Sequence, residues 1–285
     1  MKTVLFCLAL GLLAPLAQAA SPVRVIAAEN FYADIASQIA GPDALVSSIL
    51  SNPQQDPHAF EASPSVARKL ADATLVIYNG VGYDPWVSQL LSAAPRPGRT
   101  AIAVGELIGV REGQNPHIWF APRTMVALAK ALAAALSAQD PAHTAGYQAR
   151  LQVFVQSLEP IDAKLANLNA RFSKVAVTAT EPVYGYVLEG LGLDVRNPRF
   201  QLSVMNETEP RASDIAAFQD DLQNRQVKAL IYNAQTQSPL AQRMRSIASQ
   251  AGIPTVAVTE MQPAAMNYQA WISTGLDSLE QALQK

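Results

Sequence analysis

Cysteine is almost absent from this chain: Cys7 is the only one among 285 residues. A single cysteine cannot form a disulfide within the chain, so a small disulfide-stapled scaffold is excluded and a hydrophobic core must supply the stability. Blocks of like charge are also absent, with 21 Lys and Arg against 23 Asp and Glu and a formal net charge of -2. This balance gives no extended positive electrostatic field that would attract a polyanion, and it argues against nucleic acid as a partner.

Long apolar runs are missing after the amino terminus. Lys2 gives a positive start, Val4 to Leu16 is apolar, and Ala17-Gln18-Ala19 resembles a cleavage site between small residues. The run is shorter than the ~20 apolar residues that a membrane-spanning helix needs, so the pattern is typical of a secretory signal peptide. We predict that residues 1–19 are removed and that the mature protein is periplasmic and has no thiol, because Cys7 lies upstream of the cleavage site.

Short β-branched runs alternate with longer amphipathic segments in both halves of the chain from Val23 onward. This alternation is typical of β-α-β units with parallel strands. Residues 141–172 have a helical pattern broken only by Pro160. We therefore predict an α/β fold with two lobes, each a mostly parallel sheet flanked by helices, at 20–140 and 173–285. A long rigid spine helix at 141–172 should join them.

Four polar side chains closely follow predicted strands, where open α/β sheets bind their ligands. They are His58, His117, Glu181 and Glu260, two from each half of the chain. Singly, each is more often a solvated loop residue or a helix cap. Together, imidazole nitrogen and carboxylate oxygen suit Mn²⁺, Fe²⁺ and Zn²⁺, and two lobes could bring all four to one cleft.

The segments around these residues resemble those of the cluster A-I solute-binding proteins, the zinc and manganese receptors of ABC importers, over the whole mature chain. The matching motifs are Asp56-Pro57-His58-Ala59-Phe60-Glu61, Asn115-Pro116-His117-Ile118-Trp119 and Thr180-Glu181-Pro182-Val183-Tyr184-Gly185-Tyr186. The resemblance implies a non-enzymatic receptor that binds one divalent metal as cargo and delivers it to a membrane permease. It also implies that His58, His117 and Glu181 are ligands. The family usually has aspartate at the fourth position, where this sequence has Glu260.

The ligand set also bears on the metal and on the oligomeric state. Two carboxylates that can bind through both oxygens modestly favour Mn²⁺ over Zn²⁺, with Fe²⁺ as a further option. The loop from Gly105 to Asn115 is short and has no histidine, so a metal-scavenging loop is not expected. A monomer is the default for a receptor that docks on a permease.

Two other classes of function compete with this interpretation. A periplasmic zinc metalloenzyme would leave one metal position open for water, but the sequence has no His-Glu-x-x-His motif and no Gly-x-Ser-x-Gly motif. A receptor or adhesin for an organic ligand or metal chelate would line a cleft with aromatic residues. Trp86, Trp119 and Tyr184 could serve, or could pack in the core.

Two further polar residues are not expected to bind metal. His143 lies at the start of the predicted spine helix, and Glu209 lies in the turn Glu207-Thr208-Glu209-Pro210. We expect a structural or supporting role for Glu209.

Overall fold

The computed structural model describes residues 22–52, 57, 60–236 and 238–285. The predicted signal peptide and His58 therefore lie outside the described residues. The described chain forms two four-stranded parallel sheets, ordered β2-β1-β3-β4 and β6-β5-β7-β8. The strands are β1 (Val23–Glu29), β2 (Ala44–Leu50), β3 (Leu75–Tyr78), β4 (Thr100–Ala103), β5 (Ala176–Ala179), β6 (Asp194–Arg196), β7 (Leu230–Asn233) and β8 (Thr255–Val258).

Twelve α-helices are seen in the described residues and flank the two sheets. They are α1 (Asn30–Ala40), α2 (Pro64–Asp72), α3 (Pro85–Ala93), α4 (Val104–Ile108), α5 (Pro122–Gln139), α6 (Thr144–Ser157), α7 (Glu159–Phe172), α8 (Gly185–Gly190), α9 (Pro198–Met205), α10 (Ala212–Gln223), α11 (Pro239–Gln250) and α12 (Tyr268–Gln284). None of the helices in this part of the chain combines the length and the apolar character needed to cross a bilayer. The predicted α/β class with two parallel sheets is confirmed.

Several helix starts follow from single residues in the sequence. Ser63 accepts a hydrogen bond from the Val66 amide at the start of α2, and Asn267 accepts one from the Ala270 amide at the start of α12. Such side chains satisfy amides that have no partner within the helix. Asn30, a residue type that often caps helices, does not cap α1: its Nδ2 donates to the Gln262 carbonyl at 2.7 Å, and its Oδ1 accepts from the Gln262 amide at 3.2 Å.

The segment between the sheets is two helices and not one. After a 3₁₀ turn at Pro141–His143, α6 ends at Ser157 and α7 begins at Glu159. Pro160 accounts for the break, because it has no amide hydrogen and its ring clashes with the carbonyl four residues earlier. Helix α6 packs on α1 and α5, whereas α7 packs on α12, so the segment contacts both halves of the molecule.

An aromatic cluster joins the two halves beneath the strand ends. Phe31 stacks on Trp119 with ring centroids 4.7 Å apart, and Phe120 contacts both Tyr184 at 5.0 Å and Trp271 at 5.2 Å. Trp119 and Tyr184 are 0% and 1% exposed. These two aromatic residues therefore belong to the core that the two halves share.

Candidate metal centre

Three of the four proposed ligands lie at the carboxyl ends of strands and are buried. His117 ends the loop that follows β4 and the one-turn helix α4, which replaces the first part of the predicted loop. Glu181 follows β5 and Glu260 follows β8. Their exposed fractions are 0%, 5% and 1%, respectively. Charged or titratable side chains this deeply buried require partners, and a metal ion is one of them.

The imidazole of His117 is oriented by Asn115, two residues before it. Asn115 Oδ1 lies 2.6 Å from His117 Nδ1 and accepts a hydrogen bond from the His117 amide at 3.1 Å. The Asn115 amide is fixed in turn, because its Nδ2 donates to the Pro182 carbonyl at 2.8 Å. Since Oδ1 can only accept, the Nδ1 atom carries the proton and the lone pair of Nε2 is available to a metal.

His117 faces Glu260 from the opposite half of the molecule. His117 Nε2 lies 3.6 Å from Glu260 Oε2, which is too far for a good hydrogen bond. Two atoms bound to one ion at 2.0–2.2 Å in tetrahedral geometry are separated by about 3.4 Å. The spacing therefore suits two ligands of a single ion. Tyr83 also donates to Glu260 Oε2 from its hydroxyl at 2.8 Å and further fixes this carboxylate.

Asn233 connects the two carboxylates. Strand β7 lies between β5 and β8, so its last residue sits between Glu181 and Glu260. Asn233 Nδ2 donates to Glu260 Oε1 at 2.6 Å and lies 3.2 Å from Glu181 Oε2. One buried amide thus holds an oxygen of each carboxylate.

The electrostatics of the site favour a cation. Burial raises the pKa of Glu181 above its ordinary value, with nearby Thr236 and Asn233 lowering it and the negative charge of Glu260 raising it. Among the described residues, no donor reaches Glu181 Oε1, and His117 Nε2 has no hydrogen-bond partner. A divalent cation would neutralise two carboxylates and satisfy both of these atoms.

The described residues alone do not complete a metal cage. No group of three or more His, Cys, Asp or Glu side chains in the described part of the chain is arranged to hold an ion. His117 and Glu260 are adjacent, whereas Glu181 is linked to Glu260 through Asn233. An ion between His117 and Glu260 would need at least one further ligand.

A cavity of about 660 Å³ adjoins the site on the side of Glu181. Its wall includes Glu207, Glu209 and Thr236 together with the carboxyl end of α9 and the start of α11. Glu209, for which we expected a supporting role, is exposed at this wall. Acidic walls attract cations and repel anions.

His143 lies elsewhere, on the surface of the molecule. Its side chain is 53% exposed and pairs with Asp140, with 2.6 Å between Nδ1 and Oδ2. Sequence reasoning overlooked Asn115, Tyr83 and Asn233. Asn233 carried the same signal as the proposed ligands, because it ends an apolar, β-branched run.

Comparison with known proteins gives a consistent family. The manganese ABC transporter substrate-binding lipoprotein PsaA of Streptococcus mitis is 25% identical over 286 residues, covering 92% of this chain and 90% of its own length. The metal ABC transporter substrate-binding lipoprotein FimA of Streptococcus parasanguinis is 27% identical over 255 residues, covering 84% and 80%, respectively.

Two solved structures share the fold. The periplasmic zinc binding protein TroA from Treponema pallidum superimposes with a TM-score of 0.78 at 21% identity, covering 92% of this chain and 99% of its own. The binding protein FpvC from Pseudomonas aeruginosa, in complex with Mn²⁺, gives a TM-score of 0.74 at 20% identity, covering 93% and 99%. The family model for the periplasmic zinc-uptake complex component A, ZnuA, matches residues 25–282. The chain therefore belongs to the ZnuA family of periplasmic metal-uptake components.

Proposed function

We propose that this protein captures one divalent transition metal ion, Mn²⁺ or Zn²⁺, outside the cytoplasm and delivers it to the membrane permease of an ABC importer. The observation that carries the proposal is the buried pair of His117 Nε2 and Glu260 Oε2, one from each half, 3.6 Å apart. The named relatives support it, since PsaA and FimA are substrate-binding components of manganese or metal transporters. The protein belongs with transporter receptors and not with enzymes.

We propose four ligands for the ion: His58, His117, Glu181 and Glu260. Two neutral imidazoles and two carboxylates would give a site with no net charge around a divalent cation, which limits the cost of burying it. The separation of His117 and Glu260 and their link to Glu181 through Asn233 support three members of the set. The proposal that His58 is a ligand is supported by its sequence motif alone.

The release step follows from the contacts between the halves. We propose lobes at 20–140 and 173–285 with residues 141–172 as the stiff connection, because α6 packs on the first half and α7 packs on α12. Hydrogen bonds such as that from Tyr83 to Glu260 also join the halves directly. In this proposal the monomer opens only slightly, and docking on the permease separates His117 from Glu260.

The relatives PsaA and FimA are named as lipoproteins, whereas this chain has its only cysteine at position 7. That cysteine lies in the apolar part of the predicted signal peptide, upstream of Ala19. We propose that cleavage after Ala19 releases an unlipidated protein into the periplasm. Mass measurement of the mature protein tests this directly, because an acylated amino terminus would add the mass of its fatty chains.

The first test of the function is metal binding by chelator-stripped mature protein. We expect one tightly bound Mn²⁺ or Zn²⁺ per chain, with affinity falling more than about a hundredfold in His117→Ala and Glu260→Ala, beyond what loss of a supporting contact causes. His58→Ala and Glu181→Ala test the other two ligands in the same titration. His143→Ala is the matched control, since that histidine is exposed. Wild-type protein that binds neither ion would contradict the proposal.

A further inference from the structure

A smaller cavity lies between β8 and α12, away from the proposed metal centre. Its volume is about 170 Å³, and neither His117, Glu181 nor Glu260 is part of its wall. The inner wall is formed by four buried aromatic and apolar residues, Phe120 from the first half and Tyr184, Val258 and Trp271 from the second. The rim is exposed to solvent at Ala257 and Thr274, so a small molecule could enter there.

The hydroxyl of Tyr184 is a buried donor without a partner in the wall of this cavity. Tyr184 is 1% exposed, and no described residue forms a hydrogen bond with its Oη atom. A Cβ atom at Gly275, which also lines the cavity, would lie 2.7 Å from this Oη, so the glycine leaves the space that the hydroxyl occupies. Burial and then the charge of Asp277 raise the pKa of Tyr184, which keeps its proton. An unsatisfied buried donor costs free energy that an acceptor in the cavity would recover.

Three other hydroxyl groups in the wall have already used their hydrogens. Each donates to a backbone carbonyl: Thr259 to Met261 at 2.9 Å, Thr274 to Ala270 at 2.8 Å and Ser278 to Thr274 at 2.9 Å. An ordered water molecule in a protein typically makes about three hydrogen bonds. The Tyr184 hydroxyl lies among aromatic walls, so it suits an organic molecule with one acceptor better than it suits water.

Size and lining define the class of molecule that fits. An engineered apolar cavity of about 150 Å³ holds benzene, so a cavity of this volume accommodates one six-membered ring with a small substituent. Phe120 already contacts Tyr184 and Trp271 with ring centroids 5.0 and 5.2 Å away, and a further ring would extend this cluster. The wall, as far as the structure describes it, contains no charged side chain. A neutral molecule is therefore favoured over an ion.

We propose that this cavity binds a small neutral aromatic molecule whose carbonyl oxygen accepts a hydrogen bond from Tyr184, such as an aromatic amide or ketone. The bound molecule contacts Phe120 of the first half and Trp271 of the second half, so it bridges the two halves and stabilises their packed arrangement. This binding requires no metal, and its failure would leave the proposed function untouched.

The test uses benzamide as the probe and toluene as a comparison that has the same ring and no acceptor. Isothermal titration and thermal unfolding of the full mature chain without metal measure the binding. We expect one benzamide per chain and a rise in the unfolding temperature when it is present. Tyr184→Phe should weaken benzamide binding about tenfold, the effect of one hydrogen bond, and should leave toluene binding unchanged. The unfolding temperature of this variant without a probe should match that of the wild type, because the hydroxyl has no partner to lose.

Two glycine variants on helices form a matched pair. In Gly275→Ala the new methyl group presses on Tyr184 Oη, so binding of both probes should fall more than tenfold. In Gly190→Ala the new methyl group lies in open space, so this variant should bind both probes as the wild type does. Wild-type protein that does not bind benzamide, or Tyr184→Phe that binds it with equal affinity, would overturn the inference. A marked fall in the unfolding temperature of Tyr184→Phe would also overturn it, by showing that the hydroxyl already has a partner in the fold.

Discussion

One inner strand of each sheet, β3 or β7, has an asparagine at or directly after its end, but the side-chain amides of the two asparagines contact different groups. Asn79 directly follows β3, and its Nδ2 donates to the backbone carbonyls of Gly80 and Pro116, both at 3.0 Å. Asn233 ends β7 and contacts two glutamate side chains. Asn79 therefore holds the main chain next to His117, because Pro116 precedes it, whereas Asn233 contacts the side chains of Glu181 and Glu260 directly.

We therefore expect Asn79 to affect mainly the stability of the fold and Asn233 to affect mainly metal binding. Asn79 is completely buried, and its Oδ1 accepts a hydrogen bond from Tyr32 at 2.6 Å, so it stabilises the first half whether or not metal is present. Asn233 brings two like charges towards each other, which costs free energy in the metal-free protein and becomes favourable when a cation binds. The comparison would be wrong if Asn233→Ala lowered the free energy of unfolding of the metal-free protein more than Asn79→Ala did.

The largest expected effect is on stability in Asn79→Ala. Loss of its buried hydrogen bonds leaves the Tyr32 hydroxyl and the Pro116 carbonyl without their partner, so the free energy of unfolding should fall by about 3 kcal/mol. Urea unfolding of the metal-free protein measures this. Asn233→Ala should cost clearly less in the same experiment. Equal losses in the two variants would show that the amides have the same role.

A second prediction concerns a buried carboxyl pair of the first half, Glu29 and Asp84. Glu29 ends β1 and is completely buried, and Asp84 accepts hydrogen bonds from the amides of Asn79 at 2.6 Å and Gly80 at 2.8 Å. Burial and then the charge of Asp84 raise the pKa of Glu29 well above its ordinary value, and burial raises the pKa of Asp84 to about 6. Both pKa values are higher in the folded state than in the unfolded chain. The free energy of unfolding therefore falls as the pH rises from about 4, the ordinary carboxyl value, towards the raised pKa values.

Glu29→Gln removes a carboxyl group whose charged form is disfavoured by burial and by Asp84, and it places a permanent donor beside Asp84. The variant should be more stable than the wild type by about 1–2 kcal/mol at neutral pH, and the advantage should shrink at about pH 4, where both carboxyl groups are protonated in the folded wild type. Urea unfolding across this pH range gives the comparison. A variant that is less stable than the wild type at neutral pH would argue against a mainly electrostatic cost at Glu29.

A third, smaller effect is expected from Tyr83→Phe. The substitution removes the hydroxyl that donates to Glu260 Oε2 and joins the two halves, with little change in shape. A hydrogen bond to a charged group contributes about 1.5 kcal/mol, so we expect metal affinity to fall about tenfold. Isothermal titration with Zn²⁺ measures it. An unchanged affinity would mean that Glu260 is positioned without Tyr83, by Asn233 at its carboxylate and by Gln235 Oε1, which accepts a hydrogen bond from the Glu260 amide at 2.5 Å.

The smallest effect should come from His143→Ala, which contrasts an exposed histidine with the buried His117. The contact of His143 with Asp140 is largely solvated, so both stability and metal affinity should stay within about 0.5 kcal/mol of the wild type. Thermal unfolding and metal titration provide the measurements. A marked loss of metal would identify a second site away from the strand ends.

The sheets could be predicted from the sequence because each strand is a short β-branched run bounded by turn residues. Helices α4 and α9 could not, since α4 is only Val104–Ile108 and α9 is Pro198–Met205 within a turn-rich segment. The spine predicted as one helix at 141–172 is two helices, because Pro160 divides it into α6 and α7. The role of Asn30 could not be predicted, because its side chain bonds to Gln262, 232 residues away, and no local pattern contains such a contact.

The site was predicted only in part for the same reason. Strand ends and prolines indicated which residues to consider, and three of them lie buried at strand ends. The roles of Tyr83 and Asn233 depend on contacts with Glu260 across 177 and 27 residues of chain. The ligand set itself stays a prediction until metal is bound.

The hydrogen bonds between α1 and α12 constrain how the chain can fold after export. Asp34 accepts a hydrogen bond from the Tyr268 amide at 2.8 Å, and Gln38 exchanges hydrogen bonds with Gln269 at 2.8 and 3.1 Å. A protein that crosses a membrane amino terminus first completes these contacts only when its last helix has emerged. These contacts therefore form last, and a product truncated before Tyr268 would leave Asp34 and Gln38 without these partners.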